Sequence, residues 1–98
     1  MNSFGNKIRS LRNARELLLR QVAAAIEIDQ GLLSKIERGR IIATKKHVIA
    51  LSKFFDTNEK ELLTLWLGEK IADEIKNEEV AHEALKVAEE TIKYHTHS

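Results

Sequence analysis

The stretch LRQVAAAIEIDQGLLSKIER, residues 19–38, holds two short helical patterns on either side of a tight turn. Val22, Ala23 and Ile26 belong to the first, and Leu33 and Ile36 to the second. Asp29 is a natural N-cap for the second helix, and Gly39 suits the position just past its end. The requirements of this arrangement are steric. A small residue is needed where the helices cross, and Ala23 provides it. The turn needs an apolar plug, supplied by Ile28, and the second helix must turn Leu33 and Ile36 inward. Positions 23, 28, 33 and 36 are all filled accordingly, which predicts a helix-turn-helix unit.

Outward from this unit the apolar spacing stays helical. Phe4, Ile8, Leu11 and Arg15 recur at i, i+4, i+7 and i+11, predicting a first helix from Asn2 or Ser3, with Arg12 at the edge of its apolar stripe. Leu17, Leu18 and Leu19 interrupt the pattern. Thr44 caps a fourth helix carrying Val48, Leu51 and Phe55, and Asn58 with Glu61 resembles a capping box for a fifth. Zero Pro and four Gly leave few breaks, and no stretch alternates with period two. The expected fold is therefore all-α.

The fifth helix is apolar around most of its circumference, through Leu62, Leu63, Leu65, Trp66 and Leu67, and such a helix must be buried on every side. Farther on, Ala81, Leu85, Ala88 and Ile92 step by four, three and four, a narrow seam typical of helix pairing. These features predict C-terminal helices over Glu59–Asn77 and Glu78–Tyr94 that build a homodimer interface from Leu62, Leu65, Trp66, Leu67, Ile71, Leu85 and Ile92. The alternative is a monomer that folds the seam onto itself. The expected division is a helix-turn-helix domain over residues 1–63 and a C-terminal helical extension over 64–98.

Charge also divides along the chain. The chain of 98 residues carries 16 Lys and Arg against 15 Asp and Glu, a net +1. Residues 1–55 hold eleven basic and four acidic residues, a net +7, whereas residues 56–98 hold five and eleven, a net −6. Such asymmetry points to a polyanion-binding part joined to something else. The absence of Cys removes disulfides, thiolate metal sites and cysteine nucleophiles. The longest uncharged apolar run, residues 62–67, is far short of the roughly 20 residues that span a bilayer. No signal-peptide core follows Met1, so a cytoplasmic location is expected.

At residues 32–39, LLSKIERG, the chain resembles the phage-repressor or Cro-like (XRE) helix-turn-helix family, whose recognition helix typically ends in an Ile-Glu-x-Gly stretch. The resemblance covers about Phe4 to Leu63. It implies a lambda-repressor-like domain of about five helices, followed here by the C-terminal extension. It pairs Glu37 with Arg12 on the first helix as a structural ion pair. It also implies that the third helix enters the DNA major groove, with Gln30, Gly31, Leu32, Ser34 and Lys35 near base edges. Gln30 suits adenine N6 and N7, Lys35 suits guanine O6 and N7, and Ser34 can donate or accept. Leu32 would meet a thymine methyl unless turned inward, and Gly31 would permit close approach.

Phosphate contacts are expected from the flanks. Arg20 and Gln21 start the second helix, and Arg38, Arg40, Lys45 and Lys46 follow the third, with Arg40 and Lys45 the preferred clamps. Three departures from the family pattern stand out, one being that the part beyond Leu63 matches no known motif. Leu18-Leu19 replaces its frequent Thr-Gln, so the contact made there passes to Arg20 or is lost. Glu27 occupies a turn position usually held by Gly, where its backbone would be less comfortable.

No P-loop, dinucleotide glycine pattern or nucleophile–base constellation is present. Glu79-x-x-His82 has di-metal spacing but lacks the second copy and the further glutamates such a site needs. No enzyme activity, cofactor, metal, membrane or small-molecule substrate is expected. The expected function is sequence-specific binding of double-stranded DNA by a homodimer that regulates transcription, its own gene included. The alternative is an antitoxin or adaptor whose acidic C-terminal helices bind a protein partner.

Overall fold

A computed structural model describes residues 3–97. Six helices follow one another: α1 (Phe4–Ala14), α2 (Leu19–Ala25), α3 (Gln30–Glu37), α4 (Lys45–Phe54), α5 (Glu59–Ile75) and α6 (Ala81–His97). No strand occurs among the described residues. The fold is all-α.

Each start is chemically defined. Ser3 caps α1 by accepting from the Asn6 amide, Thr44 caps α4 through His47 N–H, and Asn58 caps α5 through Glu61 N–H at 2.8 Å. Asp29 Oδ2 accepts from the amides of both Gly31 (2.9 Å) and Leu32 (3.3 Å) at the head of α3. Among α1 to α5, only α2 begins without a side-chain cap of this kind. Leu18 has no acceptor to offer, and half of the motif survives in reverse: Leu18 N–H donates to Gln21 Oε1 at 2.8 Å.

The ends of α1 to α4 share one device. Two residues past each helix the backbone turns left-handed, at Glu16 (φ 55°), Glu27 (59°), Gly39 (73°) and Asp56 (50°). The following amide then reaches back to the third residue from the helix end: Leu17 to Arg12, Ile28 to Ala23, Arg40 to Lys35 and Thr57 to Ser52. These are Schellman closures, which satisfy orphan carbonyls. Three of the four use a residue other than glycine.

The core takes Phe4 and Ile8 from α1, Val22 and Ala23 from α2, Leu33 and Ile36 from α3, and Val48, Leu51 and Phe55 from α4 and its end. Ala43, Leu62 and Trp66 complete it. Leu62 (1 % exposed) and Trp66 (8 %) were expected at a subunit interface and are instead buried within their own protomer. The reason is visible in the indole, whose Nε1 donates to the Ala43 carbonyl at 2.6 Å and ties α5 to the segment before α4. The boundary expected at residue 63 therefore falls inside an unbroken helix whose next turn still closes the core.

Contacts between elements follow chain order in part: α2 packs on α3, α4 on α5, and α1 on both α3 and α5. α6 stands outside these packed pairs. It is exposed along its described length apart from the half-buried Ala81.

Candidate nucleic-acid interface

α3 divides cleanly. Leu33, Ile36 and Glu37 are buried, whereas Gln30, Gly31, Lys35 and the C-cap Arg38 are exposed and Ser34 is half-buried. At 100° per residue the latter five fall within roughly 140° of arc, so they form one outward strip. Leu32 departs from that strip, because it packs against the core. Its expected contact with a thymine methyl is weakened accordingly. Gly31 has a structural reason to lack a side chain: a Cβ there would lie 2.8 Å from the Asp29 carboxylate that caps the helix.

The inner edge of α3 is held by charge. Arg12 Nε donates to Glu37 Oε2 at 2.8 Å and Nη2 to Oε1 at 2.9 Å, a bidentate fork. Its remaining Nη1 donates to the Leu17 carbonyl at 2.9 Å. One guanidinium thus joins α1, the α1–α2 turn and α3. Hydrogen bonding to Glu37 is the main reason that the Arg12 pKa is raised; burial opposes it, and attraction to the same carboxylate adds to it. Arg9 also lies 3.5 Å from Glu37, with its side chain 45 % exposed.

Gly5 sets how closely α1 approaches. A Cβ at this position would fall 2.6 Å from the Glu37 carbonyl oxygen and clash with that of Ile36. Three other ties were not legible as motifs. Arg15 donates to the carbonyls of Phe54 (3.3 Å) and Phe55 (2.5 Å) and lies over the Phe55 ring, so α1 caps the end of α4. Glu69 Oε2 accepts from Phe4 N–H at 2.9 Å, so α5 caps the start of α1. The Trp66–Ala43 bond is the third. Each joins groups far apart in the chain, and only the charge of Arg15 on an apolar stripe hinted at any of them.

The flanking bases are dispersed around the strip. Arg20, Arg38, Arg40, Lys45 and Lys46 are all exposed. Arg38 Nε donates to the Ser34 carbonyl at 3.3 Å, which lays that guanidinium along α3. Gln21 is exposed, but its Oε1 is occupied by Leu18 N–H, leaving the amide NH₂ to face outward as a donor. Arg40 forms the backbone closure after Gly39, and Lys45 and Lys46 open α4. Four bases therefore sit between the end of α3 and the first turn of α4. Glu27 sits at φ 59°, the less comfortable backbone expected of it.

Of the residues expected at a subunit interface, Leu67 (48 % exposed), Ile71 (42 %), Leu85 (38 %) and Ile92 (61 %) remain accessible, and Leu65 packs partly against the core. Glu79 lies in the turn before α6 rather than on a helix with His82. No cluster of three or more His, Asp or Glu suited to a metal occurs among the described residues. No described helix is long and apolar enough to cross a membrane.

A comparison with curated proteins finds no match. The profile of the helix-turn-helix family matches residues 8–62, more than half of the chain and the whole of the segment that carries α2, α3 and the Arg12–Glu37 fork. The chain belongs to the helix-turn-helix family of phage-repressor or Cro-like (XRE) type, whose members are DNA-binding transcriptional regulators.

Proposed function

We propose that the protein is a non-catalytic, sequence-specific regulator that binds double-stranded DNA as a homodimer. One observation carries this reading: α3 presents a continuous polar strip, Gln30 to Arg38, while its opposite face is locked into the core. Gln30, Ser34 and Lys35 read base edges, and Gly31 lets the backbone approach. Arg20, Gln21, Arg40, Lys45 and Lys46 hold phosphates, with Arg38 at the border. Leu32 contributes through packing.

Two such heads related by a two-fold axis meet successive major grooves. The operator is then a pseudo-palindrome with half-site centres about 34 Å apart, or a multiple of that. Regulation follows from occupancy, includes the protein's own gene, and takes place in the cytoplasm, where the DNA is. Exposed Leu67 and Ile71 on α5, with Leu85 and Ile92 on α6, support self-association through the C-terminal helices.

Binding to the region upstream of its own gene tests the reading, measured by fluorescence anisotropy against random duplex over a range of salt. Lys35→Ala is expected to cost about 1–3 kcal/mol and to relax preference at one base position. Arg40→Ala should weaken all sequences alike and reduce the salt slope by about one unit. Equal affinity for upstream and random duplex at physiological salt would refute sequence-specific autoregulation. Identical specificity profiles for the two variants would show that the strip is not the reading face.

A further inference from the structure

We infer that two copies of α6 pair antiparallel, with Leu85 against the partner's Ala88 and Ile92 against the partner's Ala81. This rests on the homodimer reading above and specifies its geometry.

The helix has an apolar face that its own protomer leaves largely uncovered. Leu85 and Ile92 are 38 % and 61 % exposed, and α6 stands outside the packed helix pairs. At 100° per residue, Ala81, Leu85, Ala88 and Ile92 lie within roughly 60° of one another, a straight seam about 17 Å long on a helix of 17 residues. The charged residues Glu83, Lys86, Glu89, Glu90 and Lys93 lie outside that arc. The apolar seam needs a cover that presents a matching strip, and a second copy of the same helix is one.

The order of side-chain sizes selects the direction. Along the seam small and large residues alternate: Ala, Leu, Ala, Ile. Parallel pairing would stack each residue on its own copy, giving layers of two alanines between layers of two large side chains. The gaps at the alanine layers would go unfilled, and each such void costs stability. Antiparallel pairing about a centre between residues 86 and 87 sets one large residue against one small residue in every layer. Packing volume is then even along the whole contact.

The flanks agree. His82 and Glu89 border the seam on one side, and Ala84 and Thr91 on the other. In the antiparallel arrangement His82 faces the partner's Glu89, twice by symmetry, and Lys86 lies on the same flank within reach of that carboxylate. Ala84 faces the partner's Thr91, so small residues allow the backbones to approach. Parallel pairing sets Glu89 beside the partner's Ala84, with no charge to meet it. Size and charge thus choose the same direction and the same register.

The chain contains no cysteine, so introduced thiols report this register directly. Wild-type protein is expected to sediment as a dimer, and Leu85→Glu, which removes no core contact, should weaken self-association at least about tenfold. Under mild oxidation the double variant Ala81→Cys/Ile92→Cys should form a covalent dimer, and neither single variant should. Folding of each variant is checked by circular dichroism. Self-cross-linking of either single variant means parallel pairing and overturns the inference. A dimer that fails to cross-link in the double variant and tolerates Leu85→Glu uses another surface. That outcome overturns the α6 pairing and leaves the homodimer standing. A monomeric wild type, with α6 folded onto its own body or held for a different partner, overturns both; specific DNA binding by that monomer would still leave the DNA reading intact.

Discussion

Arg12 uses all three of its guanidinium nitrogens inside the protomer, two on Glu37 and one on the Leu17 carbonyl. Glu37 is 2 % exposed, so removal of Arg12 leaves a buried carboxylate with only the half-exposed Arg9 as a counter-charge, at 3.5 Å. Arg12→Met should cost about 3 kcal/mol, the lower end for a buried pair, because the guanidinium keeps some contact with water. Adding Glu37→Leu should recover a large part of that loss, giving a double variant more stable than the sum of the single effects. Urea unfolding followed through Trp66, the chain's one tryptophan, measures both. The raised Arg12 pKa gives a stability contribution that is fully present below the ordinary arginine range and is lost only at still more alkaline pH. Its titration therefore leaves stability flat across the neutral range. Glu27 illustrates the opposite case, a residue whose chemistry disagrees with its backbone. A left-handed conformation costs about 1–2 kcal/mol, more than the extra unfolded-chain freedom of glycine at about 0.5–1 kcal/mol. Glu27→Gly should thus raise stability by about 0.5–1 kcal/mol in thermal denaturation, without altering operator affinity.

Helices α1 and α3 cross where Gly5 meets the carbonyls of Ile36 and Glu37. Gly5→Ala should force them apart at a cost of about 1–3 kcal/mol and tilt the exposed strip of α3, so operator affinity falls with stability. Gly68, in open space on α5, gives the contrast. Ala there should gain up to about 1 kcal/mol from helix propensity, and calorimetry on the two variants should show shifts of opposite sign. The pair also marks what was readable in advance. Caps at Asp29, Thr44 and Asn58 and the stop at Gly39 were legible, because each acts within four residues of its own position. Helix order followed from apolar spacing for the same local reason. Gly5, Glu69 and the Trp66–Ala43 bond were not legible, because their partners lie in distant elements and no periodicity records a contact between helices. The apolar faces round α5 predict burial on every side, and the structure buries Leu62 and Trp66 but leaves Leu67 48 % exposed. Their cover, however, is the protomer's own core at Leu62 and Trp66, and spacing cannot tell one cover from another. The Arg12–Glu37 fork was reached only through the family resemblance.

At the scale of the whole molecule, the basic head and acidic tail share one helix. α5 enters the core at Leu62, completes it at Trp66, caps α1 through Glu69, and continues to Ile75. A fragment ending at residue 63 should therefore unfold without a cooperative transition, whereas one ending at residue 76 should melt as a single unit. Circular dichroism on the two fragments distinguishes them, and a cooperative 1–63 fragment would make Trp66 dispensable. Segregated charge orients such a molecule near DNA, since the tail is repelled from the phosphates that attract the head. The exposure of α6 along most of its length has a consequence of another kind. A solitary helix of 17 residues is only marginally stable in water. Under the proposed α6 pairing its order is borrowed from association, and dilution toward the dissociation constant is expected to melt the segment that joins the two heads. Unfolded ends are where proteases cut, so scarcity of the protein shortens its own lifetime.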